Sequence, residues 1–118
     1  MISVHKQIYD LLKTVNTNVL RAYPEGQTTL PLIVYSEITN THFSKWADEV
    51  EFQVDVYAAT FAEMEDLAIE ADEAMQGIGF SRTYASPDTQ ARQETDLYKK
   101  ALNYRATIDT YHNNILQE

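Results

Sequence analysis

The chain has 118 residues, 44% of them apolar, with a formal net charge of −9 and no cysteine. That suits one packed domain spanning 1–118 and excludes disulfides, thiolate chemistry and a membrane span of ~20 apolar residues. The negative balance also argues against gripping nucleic acid by its phosphates.

Val4, Ile8, Leu11, Leu12, Val15 and Val19 fall on one helical stripe, so an amphipathic helix is expected over 4–19, with Ser3 as its N-cap. Asn16, Thr17 and Asn18 compete for backbone hydrogen bonds and fray its end. The opening MISVHKQIYD lacks a signal-peptide apolar region, so a cytoplasmic protein is expected. Tyr23-Pro24 and Gly26 then break the chain.

Leu30 to Thr39 reads as a strand, with Pro31 tolerated near its start. Leu32, Val34 and Ile38 form one face, while Ile33 and Tyr35 make the other partly apolar. Such a strand is either buried on both sides or covered by a partner chain. Thr41 to Asp48 is too short for a crossover helix, so the flanking strands should be antiparallel neighbours. Phe43 and Trp46 make its tip unusually aromatic.

Glu49 to Ala59 is the central strand. Val50, Phe52, Val54 and Val56 alternate strictly with Glu51, Gln53, Asp55 and Tyr57, giving one dry and one wet face. A helical period would mix Glu51 and Asp55 into the apolar stripe.

Thr60-Phe61-Ala62-Glu63 is a capping box that opens a second helix. Its stripe is Phe61, Met64, Leu67, Ala68, Ala71, Met75 and Ile78, and Gly77 and Gly79 end it. A short strand is expected over Phe80 to Ala85, stopped by Ser86-Pro87-Asp88. Residues 88–96 read as a flexible polar loop that orders on binding, because almost nothing apolar holds them down. Leu97 to Ile108 is the last strand, and the tail over 110–118 frays or docks elsewhere.

The fold class is therefore α+β, in the order α-β-β-α-β-β. Its economical packing is one mostly antiparallel four-stranded sheet with both helices on one face. The other face would display Tyr35, Tyr57 and the odd residues of the remaining strands.

No enzyme is expected. His5, His42 and His112 lie in separate elements without ligand spacing, so no metal is expected. No serine sits in a nucleophile-elbow sequence, and the three glycines form no phosphate loop, so no cofactor is expected. The acids of the second helix suit a solvated face better than a cation site. The eight tyrosines suit sheet cover and interfaces better than a ligand pocket. Charge is segregated: ten acids and no Lys or Arg lie between Lys45 and Arg82, and Arg92, Lys99, Lys100 and Arg105 gather in the last third.

The first helix, Tyr-Pro break and LPLIVYSEI strand, then VEFQVDVYAATFAEMEDLAIEADEAM, then LYKKALNYRATI, follow one another in a familiar order. Over nearly its whole length the chain resembles the small tail-completion proteins of long-tailed bacteriophages and prophages. These include tail terminators of lambda-like phages and tail-to-head joining proteins of phages of Gram-positive hosts. Lys99, Lys100 and Tyr104 match the kind of residue that family carries in its last strand.

The resemblance implies a ring, usually a hexamer, at the head-proximal end of the tail tube. It implies contact with itself, the tail tube protein and a head-completion or connector protein. DNA passes through without being read, and no membrane is involved. Assembly in the host cytoplasm would end in the virion.

The residues agree with a docking role: spare apolar surface and segregated charge suit a head-to-tail ring. The interface candidates are Ile33, Tyr35, Phe43, Trp46, Tyr57, Arg92, Lys99 and Arg105. The acidic candidates for a DNA lumen or steering surface are Glu49, Glu51, Asp55, Glu63, Glu70 and Glu73. The alternative is a small-ligand or regulatory module, with Tyr35, Tyr57 and Tyr104 lining a cup.

Overall fold

A computed structural model of the chain describes residues 4–21, 29–44, 46–87, 89–92, 97–109 and 114–116. Two helices, α1 (His5–Val15) and α2 (Phe61–Gly77), pack on a sheet. The strands are β1 (Val19–Leu20), β2 (Leu32–Ser44), β3 (Ala47–Ala58), β4 (Ser81–Ala85), β5 (Thr89–Arg92), β6 (Leu97–Asp109) and β7 (Asn114–Leu116). Side by side they run β1-β2-β3-β6-β4, and β5 and β7 also pair with β6. Only the β1–β2 pairing is parallel; the rest are antiparallel.

The four expected strands are thus β2, β3, β4 and β6, and three short ones were not foreseen. Val19 leaves the helix and pairs with Ile33, because Asn16 caps α1 in an extended conformation. Residues 89–92, expected as loop, form β5 against β6. Residues 114–116 of the tail, expected to fray or to dock elsewhere, dock on β6 as β7. The expected N-cap Ser3 lies outside the described residues.

The alternation in β3 is the pattern of the core. Val50, Phe52, Val54 and Val56 have no exposed surface and pack under both helices. Ile8 and Leu12 of α1 and Met64, Leu67, Ala68, Ala71 and Met75 of α2 meet them. Phe52 sits at the centre, edge-on to Phe80 at 5.9 Å and to His5 at 5.2 Å. Both helices share this side, as expected.

β2 carries two apolar faces, and the chain buries both within itself. Ile33 and Tyr35 join the helix-covered core, whereas Leu32 and Val34 form a second cluster with Tyr57 and Leu97 on the far side. Tyr35 is therefore not on the outer face, contrary to expectation. A bulge between Glu37 and Thr39 then leaves Ile38 out of register and 45% exposed, so it does not continue the Leu32–Val34 row. After the bulge Asn40 lies opposite Val50. The strands continue almost to the tip, so the 41–48 connection is mostly β-ladder and not loop.

The side-chain oxygen of Thr60 accepts from the Glu63 amide at 3.2 Å, the N-cap half of the expected capping box. At the other end Gly79 N–H donates to the Gln76 carbonyl and Phe80 N–H to the Met75 carbonyl, each at 3.1 Å. That pair of bonds is a Schellman cap, and Gly79 takes the left-handed position with φ 108°. Gly77 lies inside the helix with open space around it. Gly79→Ala is therefore expected to cost about 1–2 kcal/mol, while Gly77→Ala stabilises by about 0.5–1 kcal/mol. Urea midpoints of the two variants should move in opposite directions; equal shifts would contradict the cap.

Candidate functional site

Among the described residues, no helix lies on the outer side of the sheet. The β3–β6 register builds its chemistry there. Glu51 faces Arg105, Gln53 faces Asn103 and Tyr57 faces Lys99. Arg105 reaches Glu49 at 3.4 Å and Glu51 at 3.3 Å, and Lys99 lies 3.8 Å from Asp55 and 5.7 Å from the centre of the Tyr57 ring. The Glu49, Glu51 and Asp55 row is therefore answered by β6 bases. This face is a zwitterionic ladder, and its half-exposed pairs contribute little to stability.

A second acidic surface lies on α2. Glu63, Glu65, Asp66, Glu70 and Glu73 are exposed on α2, a helix that contains no Lys or Arg. Among the acidic candidates, Glu63, Glu70 and Glu73 thus share one exposed helix surface, separate from the β3 row.

A groove of about 480 Å³ runs between α2, β4 and β6. Ala68, Ala85 and Leu102 form its apolar part, and Glu65, Glu73, Arg82 and Lys100 bring charge to it. Ile69 contributes an apolar side chain that is 57% exposed.

One end of the groove is organised by Asp72. Its carboxylate accepts from the Tyr104 hydroxyl at 2.8 Å, from Arg82 at 2.9 Å and from Gln76 at 2.8 Å. Burial pushes the Tyr104 phenol well above its ordinary 10.0, and the Asp72 hydrogen bond and charge push the same way. Sequence reasoning did not single out Asp72. Its spacing held the signal: it lies four residues after Ala68, at the border of the apolar stripe.

The interface candidates do not come together. Ile33 and Tyr35 are core residues, 0% and 2% exposed, because α1 and α2 cover their side of the sheet. Tyr57 is 7% exposed in the second cluster. Lys99 and Arg105 lie on the outer face, and Trp46 is exposed at the turn between β2 and β3. Arg92 belongs to β5, but the side chains of Arg92 and Phe43 lie outside the described residues. The tyrosine cup does not form either: Tyr35 and Tyr104 are buried in the core cluster and Tyr57 is on the other side of the sheet.

His5 pairs with Glu37 at 2.9 Å and packs on Phe52 and Tyr35, a structural arrangement. Among the described residues no three His, Cys, Asp or Glu side chains converge as a metal site. No described helix is long and apolar enough to cross a membrane.

No protein-family profile matches the chain, and no curated protein does. Its fold is similar to that of a chain in a solved structure described as the virion of a native gene transfer agent particle. The TM-score is 0.59 at 16% identity, over 86% of this chain and 91% of that one. At that identity the likeness is one of fold.

Proposed function

We propose that this chain is a structural component of a phage-like virion, working as a ring at the head-proximal end of the tail tube. There it ends the tail and joins it to the head, and it performs no reaction. The observation that carries this reading is the fold likeness to a virion chain, which spans almost the whole of both chains.

Three features support it. The outer sheet face carries a row of paired charges, and no described helix covers it. Covered in a ring, the exposed parts of Trp46, Ile69, Phe61 and Tyr84 would bury apolar surface. Acid is concentrated on α2, and Glu63, Asp66 and Glu70 lie there on the solvent side, beyond the groove-lining residues. Turned toward a channel, these acids would let DNA slide without sticking, since like charges repel. The partners on this reading are further copies of the chain, the tail tube and a head-side connector. Assembly takes place in the host cytoplasm and ends in the virion.

Light scattering on the purified chain, alone and mixed with tail tubes, is expected to show a discrete ring. Disrupting the gene in a producing host is expected to leave tails of irregular length that do not join heads. Normal particles without the protein would overturn the proposal. So would a monomer that ignores tubes yet melts higher with small molecules.

A further inference from the structure

We infer that copies of the chain join edge to edge: β4 of one copy adds to β2 of the next along residues 35–39, and the sheet runs on from subunit to subunit around the ring. The inference rests on the ring-forming reading above and names the surfaces that meet.

The sheet ends in two open edges. On one side β1 covers only Ile33 and Val34 of β2, and the chain then bends at Arg21. Among the described residues, no strand pairs with β2 beyond Val34 on that side. Ser36, Ile38 and Thr39 are exposed there. On the other side β4 is the last strand in the order, and all five of its residues are exposed. Such an edge presents backbone N–H and C=O groups to which a further strand can add.

The two edges agree in level, length and direction. Through the strand registers, Ser81 stands level with Arg105, Glu51 and Thr39, and Ala85 with Leu102, Val54 and Tyr35. Each edge spends five residues on the same four positions, because each carries one extra residue, at Ile38 in β2 and at Thr83 in β4. A bulged strand falls out of step with a regular one, but these two keep step with each other. Ser81 comes opposite Thr39, Tyr84 opposite Ser36 and Ala85 opposite Tyr35. Three antiparallel pairings separate β2 from β4, so β4 runs antiparallel to the β2 of a copy set beside it in the same orientation. β4 ends at Ala85, and β1 of that copy begins to cover β2 at Val34, so the added strand fills the open stretch and stops short of β1.

A second copy is the occupant that meets both edges together. A strand lent by another protein would fill one and leave the other open. The contact is head-to-tail, the type that generates a closed ring when the rotation closes. Ile38, 45% exposed, and Tyr84, 53% exposed, are the large exposed apolar side chains of the two edges. The joint sets them at diagonal ladder positions, a spacing that an aromatic side chain spans.

The chain has no cysteine, so a pair can be introduced cleanly. Directly opposed residues have Cα atoms about 4.5–5.5 Å apart, within disulfide reach. Ser81→Cys combined with Thr39→Cys should therefore give, on mild oxidation of the ring, a ladder of covalent oligomers. Neither single variant should pass beyond a dimer, and the mismatched pair Ser81→Cys with Ser36→Cys should give no ladder. A lysine on an edge opposes strand addition. In light scattering, Ile38→Lys and Tyr84→Lys should each lose the ring with circular dichroism unchanged, because both side chains are exposed.

A wild-type ring with no ladder, or with a ladder as strong from the mismatched pair, would overturn this joint and leave the ring reading standing. Lysine variants that keep the ring but no longer bind tail tubes would overturn it too, assigning the edges to the tube protein. A wild type that never forms a ring, free or on tubes, would remove both proposals.

Discussion

Phe52→Ala is expected to destabilise the fold by about 3–5 kcal/mol, the range for emptying a buried aromatic site. Phe52 has no exposed surface, and its ring lies edge-on to both Phe80 and His5. It thereby ties three parts of the chain together: the start of α1, the middle of β3 and the exit from α2. Removing the ring leaves a cavity that a rigid sheet cannot close, and it loosens the His5–Glu37 contact above it. Domains of this size have only about 5–15 kcal/mol in all. The melting temperature should therefore fall by about 10–20 °C.

The adjacent residue is the control. Glu51 points to the outer face and meets Arg105 at 3.3 Å in a half-exposed pair. Glu51→Ala should cost less than about 1 kcal/mol. Two neighbours in one strand would then differ several-fold in cost because the pleat sends them to opposite sides. Urea unfolding of both variants checks this; equal midpoints would contradict the placement of the core.

The elements that were legible in the sequence are those specified locally. The alternation from Val50 to Val56, the Thr60 N-cap and the Gly79 stop each involve residues close in the chain, and each appears in the structure. What stayed hidden was decided by distant partners. Both faces of β2 are apolar, and nothing in Ile33 or Tyr35 says which side the helices will cover. Their burial in the core comes from packing with α1, which no local pattern encodes. The bulge that ejects Ile38 is likewise a matter of register against Phe52 and Glu51.

The three short strands follow the same logic. Val19–Leu20, Thr89–Arg92 and Asn114–Leu116 have weak strand character of their own, and each exists because a longer strand offers a free edge. Glu49, Glu51 and Asp55 looked acidic in the sequence because Arg105 and Lys99 lie some fifty residues away. The β3–β6 register brings them together.

Asp72 is expected to be the most costly polar position in the described structure. Asp72→Ala removes the acceptor for Tyr104, Arg82 and Gln76 at once. Arg82 and Gln76 can turn to water. The Tyr104 hydroxyl has no such route, because its residue is 0% exposed. An orphaned buried donor costs about 1–3 kcal/mol, whereas Tyr104→Phe removes donor and demand together and should cost about 1 kcal/mol or less. The double variant should therefore fall short of the sum of the singles by roughly 1 kcal/mol.

The same hydroxyl gives a pH signature. Burial first, then the Asp72 hydrogen bond and charge, raise the Tyr104 pKa in the folded state above its ordinary 10.0, against a smaller opposing effect of Arg82. The unfolded chain releases that proton near pH 10 while the folded chain keeps it. Stability is thus full below about pH 10 and declines as pH rises beyond it. Tyr104→Phe should flatten part of that alkaline decline; Tyr35, whose phenol burial also raises, keeps the remainder. Asp72→Ala should flatten it less, since burial persists without the carboxylate. Alkaline unfolding curves that superimpose for wild type and Tyr104→Phe would show that the buried phenol is not the group being titrated.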